Sequence, residues 1–559
     1  MSFVLSCSAS TLLAAVAGIS AARADEPRYR ALNPRGYQPE TKLVPLAPRA
    51  GDLNGRVVHV IHAWPANVPS GFEAAVALLE AGLRLKYPEI KLVDRYKDAA
   101  YSEDEPELWA ETRREASAFI YVAADSAATT MWSVSWSAKL EGMGIPGAVL
   151  HFAALAENAE RTREKLGTPV RLVSVPNQGS GVFANDIADR VASALIAPLA
   201  DAELRSGTAR AEPPPRFAVE GELSQIQAHF DAQHWTDGLP IVPPTEEAVA
   251  AMLERTSHAA DEIVTRAMAP EGWPVTVEKV AINGVMAGVP PSAMPVLLAA
   301  VEAFASGPFA SGVRSTNSFS FMQLVNGPIA REIGMNSGTQ ALGPGNRANA
   351  TIGRALRLFI YNLGGGENGV NLMGTQGHVG SSAFCFAENE AASPWQPFQV
   401  TRGFKASDST VTIFAGGWSH TGNMLHQDLK RLARDIAYFQ WPRGMAALLS
   451  PAAANELAKA GMGKAEVERE LWQSATLTMG EFRNDHYYQR FIIPILKGRE
   501  MHGVRNRWPA SYLDLPDEAR VPVYPRDEVH VIVVGGEANA MMQGWQMWGA
   551  TTISVDKWR

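Results

Sequence analysis

A glycine-rich stretch that leads into a helical pattern is the first candidate for a chemical site. It reads LGPGNRANATIGRALR and runs from Leu342 to Arg357. Glycines here allow backbone angles closed to other residues, and the first turn of a helix offers free N–H groups to an anion. An arginine could add a bidentate contact to a carboxylate or phosphate. We predict a small-anion site, with a tight turn and a helix cap as the structural alternative. The predicted contacts are those of Gly345, Asn346, Arg347 and Asn349.

A second stretch, TQGHVGSSAFCFAENEAASPW, sets a histidine, a cysteine and acidic side chains close together in sequence. His378 has the chemistry of a general base, with Glu388 orienting it or serving as the acid. Cys385 with His378 would instead supply a nucleophile pair. Strand alternation puts Cys385 and Glu388 on opposite faces, which argues against a direct pairing of these two. We predict His378 and Glu388 as catalytic residues; a core cysteine beside surface carboxylates is the structural alternative.

Further polar turns could complete such a site. Asp237 lies in HWTDGLP. Asp-Gly pairs most often form turns, which is the structural alternative, and we predict that Asp237 contributes to catalysis. Asn326 and Asn389 are predicted to bind the ligand, because amides that converge on one crevice form a set of hydrogen-bond donors. His420 and His426, in GGWSHTGNMLH, do not have the spacing of metal ligands. No metal site is predicted.

The composition limits the classes of ligand and partner. The 559 residues carry a net charge of -8 and no run of arginine and lysine, which argues against nucleic-acid binding. Cys7 and Cys385 are the two cysteines, so a disulfide framework is excluded. The glycine-rich stretch matches neither a phosphate-binding loop nor a dinucleotide fingerprint. No flavin, nicotinamide or phosphopyridoxal signature is evident, and no cofactor is predicted.

Residues 1–24 have the pattern of a secretory signal peptide. Residues 11–21 are apolar, and Ala22-Arg23-Ala24 fits a cleavage site, although no basic residue precedes the apolar core. If this signal is genuine the protein is periplasmic or secreted; otherwise it is cytoplasmic. No apolar run reaches the ~20 residues of a transmembrane helix, so no membrane span is predicted.

Hydrophobic patterning divides the chain into two predicted domains. After a proline-rich extended arm at residues 25–50, five β-rich runs alternate with helical patterns over residues 51–204. This alternation predicts an α/β domain with a doubly wound, flavodoxin-like parallel sheet. A linker rich in proline and glycine follows at residues 205–217. Residues 218–559 are predicted to form a larger, glycine-rich α+β or α/β domain.

The C-terminal domain is predicted to contain a helical section near residues 425–480. The sequence from Leu429 to Leu449 looks helical with a break at Pro442, and the sequence from Ala452 to Leu477 looks helical as well.

The segment DSAATT stands where the third predicted strand of the first domain meets its helix. Ser126 would make a good N-cap, and Thr129 could too. The frame D-S-A-A-T-T-x-W-S-V-x-x-x-x-x-L-E-x-x-G-I-P, from Asp125 to Pro146, resembles the UGSC selenoprotein-like family. That family carries selenocysteine or cysteine, then Gly-Ser-Cys, at this point. The resemblance places the first redox residue on Ser126 and the second on Thr129, with Ala127 and Ala128 between them.

This resemblance implies a degenerate redox motif, because both chalcogen positions hold hydroxyl side chains. The first domain would then be a scaffold, or a binding surface that uses Asp125, Ser126 and Thr129. Stretches of the C-terminal domain, such as HWTDGLPIVPPT and NSGTQALGPGNRANATIGRALR, resemble a segment found fused or adjacent to UGSC-type domains. Relatives commonly carry a cysteine where Val289 stands. This second resemblance implies architecture more than activity.

Together these observations predict an enzyme that acts on a small anionic organic molecule. The chemistry would be non-redox acid/base catalysis, hydrolase- or lyase-like, in the C-terminal domain. One alternative is a non-catalytic protein that binds a small ligand. Another is the inactive partner subunit of a thiol or selenol redox system. The predicted partner is a small-molecule ligand; a homo-oligomer, or a complex with a thiol-bearing homologue, is left open.

Overall fold

The computed structural model describes ten ranges of the chain: residues 27–49, 51–66, 70–99, 101–124, 126–177, 186–423, 426–438, 443–485, 487–497 and 508–559. The predicted signal peptide and Asp125 lie outside the described residues.

The first domain alternates strands and helices, and two short strands precede it in the arm. The strands are β1 (Arg28–Leu32), β2 (Thr41–Leu43), β3 (Val57–His62), β4 (Lys91–Tyr96), β5 (Ala118–Val122), β6 (Gly147–Phe152) and β7 (Arg171–Val175). The helices are α1 (Glu73–Lys86), α2 (Pro106–Glu115), α3 (Ala127–Gly142), α4 (Ala156–Leu166) and α5 (Ile187–Ile196).

Strands β3 to β7 form one parallel sheet in the order β4-β3-β5-β6-β7. All five residues of β5, AFIYV, are buried, as expected for a parallel strand covered on both faces. On β3, Val58 and Val60 pack with α1 and α5, whereas Ile61 packs with α2 and α3. The prediction of a doubly wound, flavodoxin-like parallel sheet is therefore confirmed.

The linker returns along the arm. It carries β8 (Gly207–Ala209) and leads into β9 (Phe217–Glu222). Strand β2 pairs with β8, and β1 pairs with β9, both antiparallel. Ala31 and Leu32 belong to the hydrophobic core of the C-terminal domain. The arm thus begins on the C-terminal domain and crosses to the first one beside the linker.

The C-terminal domain contains the remaining elements. Its strands are β10 (Ile263–Met268), β11 (Trp273–Thr276), β12 (Ser320–Asn326), β13 (Cys385–Ala387), β14 (Thr410–Asn423), β15 (Met445–Leu449), β16 (Thr476–Thr478), β17 (Arg520–Pro522), β18 (Val529–Val533) and β19 (Met541–Ser554). Its first helices are α6 (Leu223–Ala232), α7 (Glu246–Leu253), α8 (Val277–Ala287), α9 (Met294–Ser306), α10 (Ala310–Val313), α11 (Pro328–Glu332) and α12 (Arg347–Leu358). The later helices are α13 (Phe398–Thr401), α14 (His426–Ala437), α15 (Pro451–Lys459), α16 (Lys464–Ser474), α17 (Met479–Asn484) and α18 (Ile493–Leu496). A π-helical turn at Phe359–Leu363 continues α12.

A mixed six-stranded sheet, ordered β13-β12-β14-β19-β15-β18, organises this domain. The β12–β13 and β15–β18 pairs are parallel, and the other pairs are antiparallel. On one face, α8, α9 and α12 cover the part near β12, while α14, α15 and α16 cover the part near β15. A separate cluster of phenylalanines and aliphatic side chains lies on the opposite face. The domain is larger than the first and mixed α/β, as predicted.

The predicted helical section needs one correction. Residues 445–449 form the buried central strand β15, although the pattern from Leu429 to Leu449 was predicted to be helical with one break. Their sequence, MAALL, is uniformly apolar and packs on both faces of the sheet, so helical and strand burial cannot be told apart by periodicity. The flanking α14, α15 and α16 are helical as predicted. No helix in the described ranges is long and apolar enough to cross a membrane.

Candidate functional site

The loop between β5 and α3 is closed by its own hydroxyl groups. Ser126 is the N-cap of α3, as predicted, and its Oγ accepts from the Thr129 N–H at 3.2 Å. The Ser126 N–H donates to Thr129 Oγ1 at 3.1 Å, and the two hydroxyl oxygens are 3.0 Å apart. This reciprocal arrangement is a capping box. Ser126 and Thr129, the two positions predicted to correspond to redox residues, thus satisfy the end of a helix.

A buried carboxylate further along α3 joins three parts of the chain. Glu141 accepts from the N–H groups of Ala47 and Gly147, each at 2.8 Å, and pairs with Arg49 at 2.8 Å. Burial raises the pKa of the Glu141 carboxyl, and the Arg49 guanidinium opposes that rise. Glu141 therefore joins α3, the arm and the start of β6, which is a structural role.

The start of α12 is closed in the same way as the start of α3. Asn346 is the N-cap, and its Oδ1 accepts from the Asn349 N–H at 3.0 Å. Asn349 is buried and donates to the carbonyls of Asn336 and Ala341. Arg347 is turned away from the loop and donates twice to the Gly288 carbonyl at the end of α8, at 3.1 and 2.9 Å.

Three residues predicted to contact an anion, namely Asn346, Arg347 and Asn349, are therefore already hydrogen-bonded to other groups of the chain. Gly345, the fourth, has φ of +113° and shapes the turn that precedes the cap. The geometry of this loop is that of a tight turn with a helix cap. Any ligand here would compete with the cap for the first N–H groups of α12.

Asp237 is held by an arginine of α12. Arg354 forms a two-pronged ion pair with its carboxylate, with Nε–Oδ2 and Nη2–Oδ1 distances of 2.8 and 2.7 Å. Both side chains are nearly buried. Both carboxylate oxygens of Asp237 are thus engaged by one guanidinium, which is a geometry that fixes the orientation of the two side chains.

Glu388 lies in a buried network at the carboxyl ends of β12 and β13. Its Oε2 accepts from Asn326 Nδ2 and the Phe398 N–H, both at 2.6 Å, and its Oε1 is 3.4 Å from Lys464 Nζ. Asn389 instead reaches the end of β18, where it donates to the Gly535 carbonyl at 3.1 Å. These predicted site residues tie β12, β13, β18 and α16 together.

The structure does not bring His378 and Glu388 together. His378 forms a hydrogen bond with the Gly417 carbonyl. The preceding residue, Gly416, pairs with Ser320, so His378 lies near the start of β12. Glu388 contacts Asn326 at the other end of that strand. At ~3.3 Å per residue these ends are about 20 Å apart. The prediction that Glu388 orients His378 is therefore corrected.

His378 is fixed by two hydrogen bonds within the chain. Its Nδ1 accepts from the Gly380 N–H at 2.9 Å, so its Nε2 carries the hydrogen that is donated to the Gly417 carbonyl at 2.7 Å. A Cβ added at Gly417, where φ is +139°, would lie 2.5 Å from His378 Nε2. The imidazole ring thus packs directly on the backbone of Gly417, and a larger residue there would clash with it.

An open cleft of about 380 Å³ lies beside the end of α12. Arg357, Tyr361, Asn368 and His378 contribute to its walls, as does the paired Asp237. The following loop, residues 364–378, forms one side of this cleft. Its other side contacts the first domain through an ion pair between Arg161 and Glu367, at 2.9 Å, and through Met373. The cleft therefore lies next to the boundary between the two domains.

Arg357 is the functional candidate that sequence reasoning missed. Its Nη2 donates to Tyr361 Oη at 2.8 Å and lies 3.3 Å from Asn368 Oδ1. Its guanidinium carbon is 4.4 Å from the centre of the Tyr361 ring. Helical spacing could have indicated that Arg354 and Arg357 share a face. It could not have shown that Asp237 neutralises the former.

Cys385 and His420, which the sequence also singled out, lie outside the walls of the Arg357 cleft. Cys385 is buried, and burial raises the pKa of its thiol far above the ordinary range, so the thiol stays protonated. The small, buried, core interpretation of Cys385 fits this environment. His420 lies 3.2 Å from Asp435. Within the ranges that the structure describes, no group of three metal-binding side chains comes together.

The strand order and the capped motif after the third strand of the sheet define the first domain as a flavodoxin-like α/β domain. Residues 30–201 match the model of the UGSC family, and the chain therefore contains a UGSC-like domain. No curated protein and no solved structure matches the chain. The family match covers the arm and the first domain. It ends before the linker and does not extend to the cleft.

Proposed function

We propose that the C-terminal domain binds a small organic anion in the cleft beside Arg357. The observation that carries this proposal is the uncompensated charge of Arg357. Its guanidinium lines the cleft, and its hydrogen-bond partners, Tyr361 and Asn368, are neutral. Among the described residues, no carboxylate lies within the 4.0 Å that defines an ion pair with it. A carboxylate or phosphate of a ligand would supply the missing charge and match the guanidinium geometry.

The surroundings of Arg357 favour recognition of one anionic group in one orientation. The Arg357 guanidinium packs against the Tyr361 ring and donates a hydrogen bond to the Tyr361 hydroxyl, and both contacts restrict its orientation. Ser381 and Ser382 line the same cleft with hydroxyl groups that can donate to an anion. The volume of the cleft lies in the range of small-molecule sites. This combination fits an organic acid better than a bare inorganic ion.

Acid/base catalysis is the second candidate, because His378 lines the same cleft as Arg357. Both of its ring nitrogens are engaged, one as acceptor and one as donor. Proton transfer by His378 would require ligand binding to release one of these hydrogen bonds. For this reason the geometry favours binding over the hydrolase- or lyase-like chemistry predicted from sequence.

A thermal-shift titration of the purified chain tests the proposal. The probes are acetate, citrate, inorganic phosphate and sulfate, and the variants are Arg357→Gln and Arg347→Gln. Arg347 is the matched control, because it lies on the same helix but is bonded to the Gly288 carbonyl. A ligand at a hundred times its Kd should add about 2.7 kcal/mol of stability. We expect this gain in the wild type and Arg347→Gln, and its loss in Arg357→Gln.

Equal responses of wild type and Arg357→Gln would overturn the anion site. If an organic acid binds, its turnover is followed by NMR with the wild type and His378→Gln. Conversion by the wild type alone would support acid/base catalysis, and binding without conversion would support a non-catalytic ligand-binding domain.

A further inference from the structure

A second cavity lies along the same helix as the Arg357 cleft. It has a volume of about 470 Å³. Apolar side chains form much of its wall, namely Leu342, Pro344, Ala350, Val379, Phe384 and Trp545. Its two amide side chains are already engaged: Asn349 donates to backbone carbonyls, and Gln543 accepts from Trp545 Nε1 at 3.2 Å. This cavity therefore offers mainly apolar surface, together with the Ser382 hydroxyl and the Gln543 amide nitrogen.

The two cavities share one wall. Ser382 lines both of them. A third, small space of about 10 Å³ is lined by Gly380, which also lines the second cavity, and by Ser381 and Arg357, which also line the cleft. That space is close to the size of one water molecule. It is too small for a carbon chain, but both cavities open to solvent and meet at Ser382. A ligand longer than a small ion can extend along this open path from one cavity to the other across Ser382.

Exposed apolar side chains flank this path. Val379 is 91% exposed, Leu239 is 49% exposed and Leu342 is 40% exposed. Leu239 lines the Arg357 cleft, and the other two line the second cavity. Single exposed aliphatic residues are ordinary, but apolar groups gathered around concave sites mark ligand-binding surfaces.

We infer that the ligand of this site is an amphipathic organic acid. Its anionic group binds Arg357, and its apolar chain or ring passes Ser382 and packs against Phe384 and Trp545. This inference rests on the anion site proposed above. Arg357 and Ala350 are seven residues apart on α12, so the apolar part must extend about 10 Å from the anionic group. A medium-chain carboxylate such as octanoate fits that span, and acetate does not.

Calorimetric titration with acetate, butanoate, hexanoate and octanoate tests this inference. Burial of each methylene group should tighten binding by up to about fourfold, so Kd should fall steadily along the series. Ala350→Phe fills the second cavity and should abolish the dependence on chain length while acetate binding is retained. Ala228→Phe, on the exposed surface of α6, is the control and should behave like the wild type. Arg357→Gln should weaken all four acids.

A second variant guards against misfolding of Ala350→Phe. Val379→Ser removes one apolar wall at a highly exposed position, so the fold should be preserved. We expect weaker octanoate binding with acetate binding unchanged. Equal affinities of wild type for acetate and octanoate, or wild-type affinity for octanoate in both Ala350→Phe and Val379→Ser, would overturn the inference.

The outcomes separate the inference from the proposal on which it rests. If all four acids bind equally and Arg357→Gln abolishes binding, the anion site stands and the amphipathic ligand is wrong. If no acid binds the wild type, both are wrong, and octan-1-ol then reports whether the second cavity accepts an apolar molecule by itself.

Discussion

The start of α3 and the cleft at the end of α12 are two polar regions that differ in whether their polar groups already have matching partners within the chain. At the start of α3, Ser126 and Thr129 satisfy each other and the helix N-terminus. In the cleft, Arg357 faces open space with only neutral partners. The first region is complete without a ligand, whereas the second has a charge that a ligand could neutralise. Polar residues become available for binding where the fold leaves them unmatched.

The start of α12 belongs with the start of α3 in this comparison. Asn346 caps α12 just as Ser126 caps α3, through the N–H group three residues later. Both loops attract attention in the sequence because they combine small and polar residues before a helix. Those residue types are also the ones that cap helices. A motif of this kind predicts a helix start more securely than it predicts a ligand site.

The largest expected effect concerns Glu388, whose buried carboxylate, like the caps of α3 and α12, already has its partners within the chain. Glu388→Ala should lower the free energy of unfolding by about 3 kcal/mol or more, because it leaves Lys464 as an unpaired buried charge. Chemical denaturation measures this change. A double-mutant cycle with Lys464→Met isolates the coupling between the two side chains. A stable Glu388→Ala protein that has lost ligand binding would reverse the assignment and make Glu388 a site residue.

The arm, which contacts both domains, supplies a pH-dependent prediction. Lys279 is buried and donates to the Asn33 carbonyl at 2.7 Å, and burial lowers its pKa from 10.5 to about 8. Between these pH values the unfolded chain binds more protons, so stability rises with pH. The gain should reach about 2.5 kcal/mol near pH 10 relative to pH 7.

Lys279→Met separates this gain from other titrations. The stability of the wild type relative to this variant, followed by denaturation from pH 7 to pH 10, should increase with pH. A difference that is flat over this range would mean that Lys279 keeps its ordinary pKa, and that the arm is held less tightly than its hydrogen bonds indicate.

The cap of α3 should contribute a smaller amount. Ser126→Ala removes the acceptor for the Thr129 N–H and should cost about 1 kcal/mol of stability. Ser135→Ala is the control: this hydroxyl donates to the Met131 carbonyl within the same helix, where its loss should be nearly neutral. If both variants are equally stable, the cap contributes nothing and Ser126 is free for another role.

The smallest expected effect on stability is that of Arg357→Gln. Because Arg357 forms no ion pair with the described residues and lines an open cleft, its unfolding free energy without ligand should stay within ~0.5 kcal/mol of the wild type. Thermal denaturation without added anions measures this. A large loss of stability would show that Arg357 is a structural residue like Arg354, and the contrast between the two regions would disappear.

Local patterns predicted the elements better than their assembly. The alternation of strands and helices indicated the parallel sheet of the first domain, and Ser126 was correctly predicted as an N-cap. Strand alternation also placed Cys385 and Glu388 correctly on opposite sides of β13. By contrast, residues 445–449 were predicted as helix, because a short apolar run has no period that separates a strand from a buried helix.

The sequence by itself determined the helices, the strands and the cap positions, since these depend on residues within a few positions of one another. It also carried the pattern of the UGSC-like domain over residues 30–201. Only the tertiary structure decided which polar groups remain available. Asp237 meets Arg354 across 117 positions of the chain, and Glu388 meets Lys464 across 76. Such long-range pairings neutralise the candidates that the sequence favours and leave Arg357 uncompensated, because charge matching depends on distance in space.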